Sequence, residues 1–115
     1  MSIEPCLATS VQISAFIRLA EAQGDFATLL RKGDPVSGAI LIVALVRGAN
    51  AKIYERYPSL DGPPSWQALA TLTLESEAQI REYLEKRTAR DPDLWVIELD
   101  TADDERLAGL LGKQA

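Results

Sequence analysis

At 115 residues, 47% hydrophobic and 25% charged, the chain has the size and composition of one globular domain able to bury a core without staples. A single cysteine excludes an intramolecular disulfide, and the absence of histidine leaves zinc without its usual nitrogen and sulfur ligands. The net charge is −5, with six acids and six bases in residues 1–74 against eleven acids and six bases in residues 75–115, so the acidic C-terminal third repels phosphate backbones and no nucleic-acid partner is expected.

In chain order, the first element is a helix near residues 10–23. Thr9 and Gln12 have capping-box spacing, Gly24 offers a C-terminal cap, and Ile13, Phe16, Ile17 and Ala20 repeat at helical spacing. Four strands are expected next. The first runs from Phe26 to Lys32 and ends in Gly33-Asp34-Pro35. The second, Ala39 to Arg47, is almost wholly apolar and suits a central strand covered on both faces. Gly48-Ala49-Asn50 offers a hairpin turn into a third strand, Lys52 to Tyr57, with one wet side. Pro58 to Ser65 reads as a loop, and Trp66 to Thr73 resumes alternation.

A second helix is expected over Leu74 to Arg90, with Ile80, Tyr83, Leu84 and Arg87 as its inward stripe and Glu77–Arg81 and Glu82–Lys86 as i,i+4 pairs. Asp91-Pro92 stops it. Leu94 to Leu99 is an interior strand, and a short helix begins near Thr101 with Leu107, Leu110 and Leu111 inward. The order α-β-β-β-β-α-β-α predicts a single α+β domain over residues 1–115, with a mainly antiparallel five-stranded sheet and helices covering one face. No secretory pattern opens the sequence, and the longest apolar run, Ala39 to Val46, is far too short to span a bilayer. A cytoplasmic protein without membrane contact is expected.

Catalytic patterns are incomplete. Gly33 and Gly38 have P-loop glycine spacing, but Ala39 and Ile40 stand where Lys and Ser/Thr are required and a strand follows. Arg31, Lys32, Gly33 and Asp34 remain a candidate turn for an anionic ligand or nucleotide, against the plainer reading of a charged hairpin turn. Asp100-Thr101-Ala102 resembles the aspartic-protease turn, yet one copy could share a proton only across a homodimer. An EF-hand loop started at Asp100 would need Gly and Glu where Glu105 and Leu111 stand. Without histidine there is no Ser-His or Cys-His pair, and Cys6 beside Glu4 lacks an activating environment. Trp95 is assigned to the core. Tyr54, Arg56, Tyr57 and Trp66, on the third strand and the loop after it, are the candidate contact surface.

Leu30-Arg31-Lys32-Gly33-Asp34-Pro35 with Gly38, and Asp91-Pro92-Asp93-Leu94-Trp95-Val96-Ile97-Glu98, carry a family resemblance. With the opening helix, they resemble the alphaproteobacterial domain of unknown function 1491 family over roughly residues 4–100. The resemblance implies a short cytoplasmic single-domain protein and supplies no catalytic residues. The sequence thus points to a non-enzymatic interaction module, a homodimer or an adaptor for another protein, with no cofactor or metal. The alternatives are a small-anion sensor or enzyme at Arg31 and Lys32, or a dimeric acid hydrolase using Asp100.

Overall fold

The computed structural model describes residues 8–56, 67–74 and 76–113. Cys6, Tyr57, Trp66 and the 58–65 loop lie outside the described residues. The elements are α1 (Thr9–Ala22), β1 (Phe26–Arg31), β2 (Ile40–Val46), β3 (Ala49–Arg56), β4 (Gln67–Leu74), α2 (Glu77–Arg90), β5 (Trp95–Thr101) and α3 (Asp104–Lys113).

The helix ends follow local chemistry. At the end of α1, Gly24 takes φ +88°, while its N–H donates to Glu21 O and that of Asp25 donates to Ala20 O. These two bonds form a Schellman cap, which needs a residue that tolerates the left-handed region. The expected capping box is not made. Ala8 is the N-cap, and the buried Thr9 donates its hydroxyl to Gly38 O at 2.9 Å instead. Helix α2 starts later than its periodicity predicts because Ser76 caps it, accepting from Gln79 N.

The strands form one mixed sheet in the order β1-β5-β2-β3-β4. Pairs β1/β5, β2/β3 and β3/β4 are antiparallel, and β2/β5 is parallel from Ile40↔Trp95 to Val46↔Thr101. Three of the four pairings are antiparallel, and the parallel central pair is what a mainly antiparallel expectation left out. Parallel neighbours need a crossover, here running through β3, β4 and α2, which a reading of neighbouring hairpins does not reveal.

The helices do not cover one face, which corrects the expectation. Ile40, Ile42 and Ala44 with Trp95, Ile97 and Leu99 pack against Ile13, Phe16 and Ala20 of α1 and Leu107 and Leu110 of α3. Leu41, Val43, Ile53, Leu94 and Val96 form the opposite cluster beneath Ile80, Tyr83 and Leu84 of α2. Strands β2 and β5 are apolar at successive positions because each face receives its own helix layer.

Candidate functional site

The two family-like stretches meet in space. Gly33 and Gly38 both lie against the backbone of residues 93–94. A Cβ at Gly33 would sit 2.7 Å from the Leu94 carbonyl carbon and nearer still to Asp93 O, and one at Gly38 would sit 2.9 Å from Trp95 Cδ1. Asp34 N donates to Asp93 O at 3.0 Å, Trp95 Nε1 donates to Asp34 O at 2.7 Å, and Arg31 donates a terminal N–H to Pro92 O at 2.8 Å. Thr9 and Ser10 close the third side by donating their N–H groups to Val36 O and Pro35 O. The motif therefore joins β1, the 33–38 turn, the start of β5 and the start of α1.

Within that turn, the Asp34 carboxylate accepts from Val36 N at 3.2 Å, Ser37 N at 2.8 Å and Ser37 Oγ at 3.1 Å. The Ser37 backbone bond, aided by the Ser37 hydroxyl, holds this carboxyl below its ordinary range. The turn's anion-binding amides are thus occupied by the chain's own anion. Lys32 is exposed, and Arg31 is turned toward the backbone of Pro92.

The candidate contact surface on the third strand is reorganised. Strand β3 lies between β2 and β4 rather than at an edge. Tyr54 is half-buried against the α1 side of the core. Arg56 is only 5% exposed and donates to the Gln12 side-chain oxygen, and burial lowers its pKa. Neither is an exposed contact residue. On the opposite face Glu55 accepts from Arg87 Nε at 3.0 Å in a pair almost removed from water, and burial raises the adjacent Tyr83 hydroxyl's pKa.

Asp100 does join a cavity, of about 380 Å³, at the carboxyl ends of β2 and β5. Its Oδ1 accepts from Gly48 N at 3.1 Å. Asp25, Arg47 and Arg106 share the lining. Arg106 Nε donates to Asp25 Oδ1 at 3.1 Å, and a terminal Arg106 N–H donates to Gln23 O. These three residues are absent from the sequence expectations because they come from separate elements. Their one local signal is Arg47-Gly48, a dipeptide in a hairpin position that favours Asn-Gly.

Strand β1 forms one edge of the sheet. Phe26, Leu29 and Leu30 on it are 74%, 41% and 46% exposed. From Phe26 to Leu30 it carries no charge of the kind that usually blunts an edge. Turn residues bound β1 in the sequence without marking it as an edge, since exposure at an edge depends on strand order.

The family described as protein of unknown function (DUF1491) matches residues 7–109. A crystal structure of a DUF1491 family protein from Caulobacter crescentus is similar, with TM-score 0.70 and 33% identity, covering 85% of this chain and 91% of that one. An NMR structure of a DUF1491 family protein from the same organism gives TM-score 0.69 and 35% identity, over 84% of this chain and 87% of that one. A solution structure of an Agrobacterium tumefaciens protein gives TM-score 0.69 and 26% identity, over 91% and 92%. No curated protein matches the chain. The interlocked stretches and the match along nearly the whole length make the chain a member of the DUF1491 family.

Proposed function

We propose that this protein is a non-enzymatic interaction module that binds through the β1 edge, and that the occupant of that edge is a second copy of the chain. One observation carries the reading: β1 is an edge strand whose exposed Phe26 and Leu29, on opposite faces, and Leu30, at the register shift, are all apolar and uncharged. Strand addition satisfies the free backbone groups of such an edge and buries its side chains. The sequence favours a copy of itself. An antiparallel pairing centred on Thr28 sets Phe26 opposite Leu30 and Ala27 opposite Leu29 of the second copy, so each apolar residue meets another across a two-fold axis. The register shift in β1 takes in Leu30, so the regular part of this pairing is the Ala27–Leu29 stretch about Thr28. A cytoplasmic setting fits this reading, supported by the single cysteine and by the absence, among the described residues, of a helix able to cross a membrane.

Light scattering coupled to gel filtration tests the proposal. Wild type is expected to run as a dimer and Leu29→Lys as a folded monomer, since a lysine on the edge opposes strand addition. A wild-type protein that stays monomeric when concentrated refutes it, and an unchanged dimer in Leu29→Lys moves the interface elsewhere. A hetero-partner adaptor would instead give a monomer whose β1 amides become protected only when the partner is added.

A further inference from the structure

We infer that the cavity at the carboxyl ends of β2 and β5 is a binding site for a small zwitterion of the α-amino-acid class, with the ammonium held by Asp25 and Asp100 and the carboxylate by Arg47. The charged groups of the site do not depend on the β1 edge reading, although Phe26 belongs to both. Three observations lead there.

The first is Asp25. Its side chain is only 2% exposed, and Oδ1 is taken by Arg106, but Oδ2 has no hydrogen-bond partner. Buried acceptors are almost always satisfied, and Asp25 is among the residues around the cavity. A donor bound in that cavity completes it once the Asp25 side chain turns to present Oδ2.

The second is the charge balance of the wall: two carboxylates, Asp25 and Asp100, and two guanidinium groups, Arg47 and Arg106. Arg106 is engaged by Asp25 and by Gln23 O. Arg47 uses Nε for Ala102 O at 3.1 Å, and its terminal nitrogens make no further bond among the described residues. Asp100 likewise uses Oδ1 for Gly48 N. What remains is one guanidinium fork and two carboxylate oxygens. A plain anion would face Asp25 and Asp100, and a plain cation would face Arg47. A molecule bearing both charges meets a partner for each. The volume suits a ligand of a few heavy atoms to amino-acid size, and the exposed Phe26 ring offers an apolar wall for its side chain.

The third is backbone strain at the proposed carboxylate-binding residue. Arg47 has φ +52° and Gly48 φ +74°, the pattern of a two-residue hairpin turn between Val46 and Ala49. Arginine is a poor choice for that position, and strained residues kept against local preference cluster at binding sites. Asparagine or glycine would form the turn better but would remove the guanidinium.

The experiment is a ¹H–¹⁵N titration of the full chain with L-phenylalanine, run in parallel with phenylalaninamide, which lacks the carboxylate, and N-acetylphenylalanine, which lacks the ammonium. The same series is repeated on Leu29→Lys, so loss of self-association and loss of the site are read separately. Saturable shifts at Gly24, Asp25, Gly48, Thr101 and Ala102 are expected with L-phenylalanine, with affinity at least about tenfold weaker for both blocked forms. Arg47→Gln, which keeps the surface position polar, is expected to weaken binding by at least about tenfold while leaving the remaining spectrum in place. Asp25→Asn is expected to do the same where it folds. The inference is overturned by absence of saturable shifts up to about 10 mM, by equal binding of the blocked forms, or by unchanged affinity in Arg47→Gln.

Discussion

Replacing Gly33 by alanine gives the most quantitative test of why the family-like stretches have their sequence. The new Cβ would fall 2.7 Å from the Leu94 carbonyl carbon, against backbone on both Asp93 and Leu94, so no flexible side chain can yield. The 33–38 turn or the entry to β5 must move. Either movement breaks the 3.0 Å bond from Asp34 N to Asp93 O and strips Trp95 Nε1 of its 2.7 Å acceptor, Asp34 O. One lost backbone bond costs about 1 kcal/mol, and a buried indole N–H left without an acceptor about 2 kcal/mol more. The total, about 3 kcal/mol, is a large part of a domain's stability and lowers Tm by roughly 10 °C in a chain of this size. Gly109 in α3 is the internal control. A Cβ there meets nothing within 4 Å, so Gly109→Ala should raise stability by about 0.5–1 kcal/mol through helix propensity. Urea melts followed by far-UV circular dichroism measure both. A Gly33→Ala protein within about 0.5 kcal/mol of wild type would refute the interlock as the reason for these glycines.

Three further predictions address the polar framework. Arg87→Met removes the partner of the buried Glu55 carboxylate and should destabilise by about 3 kcal/mol in the same melts, because the charge left behind stays desolvated. The Asp34 carboxyl has a folded pKa below its unfolded value, so its contribution is complete above the unfolded value near pH 4 and is lost as pH falls through the folded one. Asp34→Asn should therefore flatten the acid limb of a Tm-against-pH curve and leave its slope near neutrality unchanged. Arg47→Gly relieves the positive φ and should stabilise by about 0.5–1 kcal/mol in urea, while abolishing the zwitterion binding inferred above.

How much could be read in advance depended on whether a feature was local. Helix α1 and its Gly24 stop, α2 with its inward stripe, and the apolar β2 and β5 were legible because periodicity and turn chemistry act within a few residues. The parallel β2/β5 pair and the split of α1 and α3 from α2 were not, since they depend on where the crossover returns. The continuous apolar run of β2 already demanded cover on both faces, which conflicts with helices on one. Site residues divide the same way. Asp34 was noticed for its turn, and the geometry gives its carboxylate to Val36 and Ser37. Asp100 was noticed as a lone aspartate, and it gains its surroundings only when β1, β2 and α3 bring up Asp25, Arg47 and Arg106. An arginine in a strand reads as solvent-facing, whereas Arg56 is buried beside Gln12.

The claim on which the functional account rests is that two copies pair through β1 about Thr28. Cross-linking tests it directly, in a Cys6→Ser background with Thr28→Cys as the only thiol. Directly opposed residues of antiparallel strands lie about 4.5–5.5 Å apart at Cα, within the span of a disulfide. The account predicts rapid conversion to covalent dimer under mild oxidation, with Glu105→Cys on exposed α3 forming no covalent cross-link. Equal and slow cross-linking of the two variants would contradict it.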